Sequence, residues 1–309
     1  MALPKRLSAS GLDLSVLRTN DTLPVDAWKE FDRTLQRVFA QRSVGIQDLI
    51  EAGLTHQLGG LGSLVSIYHM VSDMNAAEVS MLASADTEQA RFEYEPVSVP
   101  IPVIFKEFQL DRRLLESSRR LGDGVDVSHA AAAARVVTEK LEDLLFNGNT
   151  TVYGGMPIYG YRTHPSRNTA AGADWGTTSN IHANVLQMLV AMDNDNVTGP
   201  FFLYIAPKQF REMHVFIDAS NTLTAIASIR EIFPEITAIK RAPAIPAGQA
   251  VLVSMTNETV DLAIAEDLMV VEWEEKGGLT SHHRVMTALA PRVKSDYDGR
   301  SGIFHMTGI

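Results

Sequence analysis

DVSHAAAAARVVTEKLEDLLFNG, residues 126–148, is the stretch in which every local signal agrees. Asp126 and Ser128 can each accept a hydrogen bond from an orphan N–H of a first helical turn, and Ala130 to Ala134 are the strongest helix formers available. Val137, Leu141, Leu144 and Leu145 recur at helical spacing as one apolar stripe, while the alanine half carries no bulk and lets another backbone come close. Asn147-Gly148 ends the pattern, with Gly148 suited to the left-handed position just past a helix end. The spacing predicts a helix over 127–147, a rod of roughly 28 Å at ~1.5 Å per residue. A rod of that length spans a small domain, and the remainder of the chain is read as arranged around it.

Toward the N-terminus, Gly122-Asp-Gly124 makes a turn and Leu110 to Leu121 reads as a short helix. Residues 56–105 then change character, with small residues, weak helix signals and two alternating runs that predict a long two-stranded excursion. In its second run Phe92, Tyr94, Val97, Val99, Ile101, Val103 and Phe105 alternate with polar residues and prolines. Pro96, Pro100 and Pro102 all fall at even positions, so the missing N–H groups lie on one side of the strand, as on a sheet edge. A hairpin this long is marginal by itself in water and needs another surface, such as that of another subunit. Further upstream, Pro24 opens a helix whose Trp28, Phe31, Leu35, Val38 and Phe39 form an aromatic-rich stripe with Arg33, Arg37 and Arg42 off it. That stripe fits docking on its own domain, on a neighbouring chain or on a bound peptide. Residues 1–22 read as an arm ordered only by contact.

Toward the C-terminus, residues 149–178 are rich in Gly, Thr, Ser and Asn and read as a connection between lobes. The second lobe opens with Ser179 as a helix cap, followed by Ile181, Val185, Met188, Leu189 and Met192 on one face. Phe201 to Ala206 is a buried strand, Pro207 starts another helix, and a further helix is expected over Thr222 to Glu231. Strands are expected at Ile236 to Ile239, Ala250 to Met255, Val260 to Ala265, Met269 to Trp273, Leu279 to Val293 and Gly302 to Met306. Together they make an α+β fold.

A length of 309 residues predicts two lobes, and 45% hydrophobic with 21% charged residues is the composition of a soluble globular chain. No apolar run approaches a membrane span, the N-terminus lacks a signal-peptide core, and Cys is absent, all of which point to a cytoplasm without disulfides. A net charge of −10 argues against a surface that neutralises nucleic acid throughout, leaving room for a local basic patch. Chemistry is poorly represented. Gly122-Asp-Gly124 lacks the third glycine of a dinucleotide loop because position 127 is Val127. Asp193 and Asp195 begin something like a calcium loop, but Thr198 and Tyr204 stand where Gly and a bidentate Glu are required. His282 and His283 are adjacent, so on a strand they face opposite ways and cannot share a metal. The reading is of no enzyme, no catalytic residues, no cofactor and no metal.

The order of parts, carried by LPVDAWKEFDRTLQRVFAQR (23–42), IPVIFKEFQLDRRLLE (101–116), the 126–148 segment and TGPFFLYIAPKQFREM (198–213), resembles the major capsid proteins of tailed bacteriophages, in the branch nearest encapsulin shells. The resemblance implies an N-terminal arm and aromatic helix (1–55), an extended loop (56–105) and a peripheral domain with its spine helix (106–178). It further implies an axial domain (179–275) and return strands to the peripheral domain (276–309). It implies a major capsid protein that self-assembles in the bacterial cytoplasm into an icosahedral virion shell of pentamers and hexamers around double-stranded DNA. Portal, scaffold and decoration proteins would be its partners, and no membrane is involved. The alternative is an encapsulin nanocompartment packaging a cargo enzyme. Trp28, Phe31, Leu35 and Phe39 would then lie on the inner face or between subunits, and Arg91, Phe92, Tyr94, Val97, Val99 and Ile101 on the inter-subunit loop. The chain departs from a typical encapsulin in its longer N-terminal arm and wider Gly-rich connection, and it shows no large scaffolding segment before the aromatic helix. Some relatives weld subunits through a loop lysine, yet no lysine lies between Lys29 and Lys106, so a non-covalent shell is expected.

Overall fold

The Ala and Leu pattern of the spine is realised as α3 (Ser128–Asn147), whose Ala130, Ala133, Ala134, Val137, Leu141, Leu144 and Leu145 are all buried. The computed structural model describes residues 25–71, 94–111, 113, 117, 128–153, 155–218, 221–275 and 279–309, so the arm, the loop tip with Arg91 and Phe92, and Asp126 lie outside the described residues. Gly148 stands just beyond the spine at φ +68, where a Cβ would come within 2.4 Å of the Ile158 carbonyl. Only glycine fits there. The last carbonyls of α3 are taken by the connection, Leu145 O accepting from Tyr161 N and Phe146 O from Arg162 N at 2.9 and 2.8 Å.

Two helices precede the spine, α1 (Val25–Arg42) and α2 (Gly45–Glu51). A four-stranded sheet lies against the spine in the order β1 (Thr55–Gln57), β13 (Val260–Glu275), β14 (Thr280–Val293) and β4 (Val103–Asp111). Here β1 runs parallel to β13 and the other pairings are antiparallel. The excursion is a separate antiparallel hairpin, β2 (Val65–Val71) with β3 (Tyr94–Pro100). Of the run expected over 92–105, the described residues 94–105 divide between two sheets, because Pro100 and Pro102 bracket Ile101 and deny the strand its continuity. Leu110 and Asp111, expected to open a helix, close β4 opposite Ser281 and Thr280.

Beyond the spine come a small hairpin of β5 (Asn149–Tyr153) and β6 (Met156–Ile158), then β7 (Asn168–Ala171). The Gly-rich connection is thus structured, and it is pinned by Tyr161 and Trp175, both buried to 1% exposure or less. Next follow α4 (Thr178–Asn194), β8 (Phe201–Ile205), α5 (Pro207–Glu212), β9 (Phe216–Asp218), β10 (Asn221–Thr224), α6 (Ala225–Ile232), β11 (Ile236–Arg241), β12 (Gln249–Ser254) and β15 (Ile303–Thr307). Ser179 lies inside α4 and the cap position is Thr177. Similarly, residues 221–224 form a strand, and Thr224 caps α6 through the Ala227 N–H.

The second sheet runs β11-β8-β12-β15-β7. Its strands alternate: Leu203, Ile205, Ala250, Leu252, Phe304 and Met306 pack with the α4 stripe of Ile181, Val185, Met188, Leu189 and Met192. Tyr204, Val251, Val253 and Ile303 face the other way into the core built on the spine. The sheets do not divide between residues 275 and 276. β13 lies in the four-stranded sheet because it pairs with β14 along almost its full length, and β15 lies in the five-stranded sheet because it pairs with β12 and β7. The interruption expected between Ala265 and Met269 is an irregularity of register inside one strand.

Candidate functional site

The hairpin β2–β3 brings exposed apolar side chains together on one of its two faces. Its cross-strand pairs sort the side chains onto two faces. On one face Ser66, Tyr68, Val97 and Val99 turn toward the body, where Val99 and Ile101 are buried with Ala263, Ala265, Ala288 and Ala290. On the other, Ile67 is 58% and Tyr94 65% exposed, beside Pro96, and Leu64 at the hairpin base is 53% exposed. The sequence-nominated loop residues thus have different fates: Val99 and Ile101 serve the chain itself, Val97 is half-buried, and Tyr94 points into solvent.

The base of the hairpin is held by a buried ion network. Arg292 on β14 grips Asp261 on β13 with two hydrogen bonds, Nε to Oδ1 at 2.6 Å and Nη2 to Oδ2 at 2.5 Å, and sends Nη1 to Ser66 Oγ at 2.8 Å. Lys294 Nζ approaches Asp261 Oδ2 at 2.7 Å, and Tyr68 Oη donates to the Val293 carbonyl at 3.0 Å. Burial pushes the Asp261 carboxyl up, but the hydrogen bonds from Arg292 and Lys294 outweigh it and hold the group below its ordinary value. Burial raises the Tyr68 phenol to about 12, so it remains a donor.

Edge polarity follows from a single bond. Ile101 N donates to the Leu64 carbonyl across the hairpin, so by two-residue periodicity the odd-numbered N–H groups of β3 point at β2. The even positions point outward, and there Pro96, Pro100 and Pro102 have no N–H, leaving Tyr94 and Ser98 as the residues of β3 whose N–H groups lie on that side. An outer strand of a neighbour, expected from the sequence as part of the loop's hold, would therefore find acceptors but hardly any donors.

The aromatic helix α1 packs on the spine. Leu35 is 2% exposed, and Val38 and Phe39 pack partly buried on the same core, whereas Arg33 and Arg37 are exposed. Docking on its own domain accounts for that half of the stripe; the side chains of Trp28 and Phe31 lie outside the described residues. The turn into α2 is fixed by a spine carboxylate. Glu142 accepts from the N–H groups of Val44, Gly45 and Ile46 at 2.8, 3.3 and 3.1 Å, satisfying orphan donors at the start of α2. Burial raises Glu142 to about 7 even against these three bonds. One turn on, buried Asp48 accepts from Tyr204 Oη at 2.7 Å and pairs with Lys240, tying α2 to β8 and β11.

Sequence reasoning nominated neither network, although Glu142 beside Leu141 and Arg292 within ALAPRV are charges interrupting apolar patterns. Among the described residues no group of three His, Asp or Glu side chains could hold a metal ion. Asp195 ends α4 and accepts from Asn168 Nδ2, while His282 stacks on Trp273 and His283 on Phe108, on opposite faces of β14. No helix among the described residues is long and apolar enough to cross a membrane.

Residues 18–306 match the family described as "Family of unknown function (DUF6260)". The chain belongs to that family. Members of known structure outside it share the fold: the virus-like particle of Pyrococcus furiosus superposes with a TM-score of 0.66 at 16% identity, covering 91% of this chain and 100% of the other. The capsid of Myoviridae phage XM1 gives 0.66 at 13% identity, covering 86% and 92%. In sequence, the type 1 encapsulin shell protein EncA of Myxococcus xanthus is 25% identical over 194 residues, 63% of this chain and 65% of that protein. The diheme-cytochrome-encapsulin shell fusion protein of Kuenenia stuttgartiensis is 26% identical over 194 residues, 63% of this chain and 51% of the other. The matched segment thus spans about half to two thirds of these relatives. The fold is that of tailed-phage capsid and encapsulin shell proteins, and the relatives are shell proteins, not enzymes.

Proposed function

We propose that copies of this chain assemble into a closed icosahedral shell, and that the shell is the capsid of a phage or prophage enclosing double-stranded DNA. The observation that carries the assembly reading is the hairpin β2–β3, with one face locked by Arg292 and Asp261, the other exposing Ile67 and Tyr94, and Leu64 exposed at its base. A face of this kind is stabilised by a neighbouring copy, and closed symmetry supplies one for every subunit. The α1 helix, with Trp28 and Phe31 ahead of its docked half, is the candidate for the inner face. Portal, scaffold and decoration proteins are the partners a virion would require, with assembly in the bacterial cytoplasm. The similarity to EncA supports a second reading, a nanocompartment whose α1 helix receives a cargo protein.

Expression of the full chain in bacteria, followed by electron microscopy of the purified product, tests assembly: closed particles are expected, and a monomer at every salt concentration overturns it. Particles purified from the native host separate the two readings. Nuclease-protected DNA supports the capsid, whereas a stoichiometric protein cargo without DNA supports the nanocompartment.

A further inference from the structure

Between the end of the spine and the five-stranded sheet, two arginines gather positive charge with which no carboxylate among the described residues pairs directly. Arg162 sends Nε to Gln249 Oε1 at 2.8 Å and Nη1 to Asn147 Oδ1. Arg167 donates Nη1 to the His164 carbonyl at 2.7 Å and directs Nε toward His305 Nδ1 at 3.5 Å. His305 Nε2 lies 2.9 Å from the same Gln249 Oε1. Gln249 can only accept there, so the imidazole carries its proton on Nε2 and turns a neutral Nδ1 to Arg167. Two guanidinium groups are therefore bridged by an amide and a neutral ring, neither of which brings negative charge.

Among the described residues no carboxylate lies within 4.0 Å of either guanidinium. The acid that Arg162 feels is Asp143, already paired with Lys140 at 2.7 Å and bonded to Asn147. Three groups register the excess of positive charge. Burial and then Arg167 lower Arg162; burial and then Arg167 lower His164 to about 4; burial and then both arginines lower His305 to about 4. Both arginines are only half-buried, and among the described residues Nη2 of each has no hydrogen-bond partner. Neither Nη2 is among the buried side-chain atoms that lack a partner, so both are reached by solvent.

We propose that Arg162 and Arg167, held in place by Gln249 and His305, form a binding site for a tetrahedral oxyanion of the phosphate class. The free Nη2 groups of two planar, permanently charged guanidiniums, fixed through their other nitrogens, suit an oxyanion better than two mobile ammonium groups would, since each can donate to one of its oxygens. The fixed neutral bridges set the forks in advance, so little ordering is required on binding. The ligand is either free phosphate or a phosphodiester of nucleic acid, and the site is independent of which kind of shell the chain forms.

Phosphorus-31 NMR of inorganic phosphate titrated with purified full-length particles, and fluorescence anisotropy of a labelled 12-mer oligonucleotide, separate the two sources. Saturable, site-dependent broadening of the phosphate signal identifies free phosphate; saturable anisotropy without it identifies the phosphodiester. Arg167→Gln and Arg162→Gln should each weaken binding at least ~10-fold, the loss of one charge-assisted fork, with Arg167→Lys intermediate and Arg230→Gln on exposed α6 unchanged. The proposal is overturned when the wild-type protein binds neither probe, or when the Gln variants bind as the wild type does. Should both Gln variants be insoluble, the wild-type stoichiometry decides: one anion per chain upholds the site, and any unsaturable or substoichiometric binding refutes it.

Discussion

Replacing Arg292 with Met tests whether the loop is held by charge or merely rests on apolar contacts. The substitution removes two hydrogen bonds to Asp261 and one to Ser66, all at 2.8 Å or less, from a site where Arg292 is 5% and Asp261 2% exposed. Breaking a buried pair costs about 3–5 kcal/mol when a charge is left uncompensated. Lys294 stays 2.7 Å from Asp261 and keeps one matched pair, so the expected loss lies at the lower end, about 3 kcal/mol. Asp261→Asn is different, because it leaves Arg292 and Lys294 facing each other with no anion between them. That variant should lose about 4–5 kcal/mol, more than Arg292→Met although its side chain changes far less in size. Urea unfolding of unassembled subunits gives both values, and negative-stain particle counts give the effect on assembly, which should fall in the same order. Equal losses in the two variants, or Arg292→Met within 1 kcal/mol of the wild type, would refute the charge-held anchor.

Ile67→Ser with Tyr94→Ser alters only exposed side chains, so subunit stability should change by less than about 0.5 kcal/mol while particle yield drops severalfold; full particle yield from the double variant sinks the presented-face reading. Glu142 titrates near 7 when folded against an ordinary 4.5, so the folded state binds the extra proton and stability falls as pH rises from about 4.5 to about 7. Glu142→Gln should flatten that limb, on the order of 3 kcal/mol in all, and an unchanged pH slope in thermal melts counts against it. His164, His283 and His305 are held neutral down to about 4, so the unfolded chain takes up their protons first and stability falls as pH drops from about 6.5 to about 4. His283→Asn should relieve part of that acid loss, and an identical acid midpoint would contradict the assignment. Boiled particles should run as one band near 33.9 kDa, since the loop has no amine to form a cross-link; a ladder of multimers would show another linkage.

What the sequence made legible is what depends on neighbours three or four residues away. The spine and the α4 stripe are of this kind, because Val137, Leu141 and Leu145, or Ile181, Val185 and Met188, settle their own periodicity before any partner arrives. β13 was harder, since its register shifts between Ile264 and Met269 interrupt alternation that only pairing with β14 restores. The Gly-rich connection concealed Tyr161 and Trp175, whose burial is decided by lobes they do not belong to in sequence. The networks of the candidate site were the least visible. Glu142 meets the start of α2 across 98 residues of chain and Arg292 meets Ser66 across 226, so no local pattern marks either pairing. The loop stripe Tyr94, Val97, Val99 and Ile101 was identified as a unit, yet the backbone break at Pro100 to Pro102 and the alanine bed under Val99 and Ile101 divide it into an anchored half and a presented half.

That division bears on how subunits of this fold can hold one another. A hairpin whose outer edge offered a full row of N–H groups would pair with any extended segment, including the same edge of a misplaced copy. In β3 the prolines at 96, 100 and 102 remove those donors, while the opposite edge is already committed to β2. In the assembly we propose, adhesion would thereby move from the backbone, which is the same in every sequence, to Leu64, Ile67 and Tyr94, whose shape a partner surface must match. The anchor complements this shift. Side-chain burial at ~25 cal/mol per Å² rewards only surfaces that arrive in register, and a hairpin pinned by Arg292, Asp261, Ser66 and Tyr68 presents the same three side chains in the same geometry on every copy. An edge poor in donors and a base tied by buried hydrogen bonds are thus two parts of one arrangement, in which a weak contact becomes specific because its backbone offers few partners and its side chains carry the match.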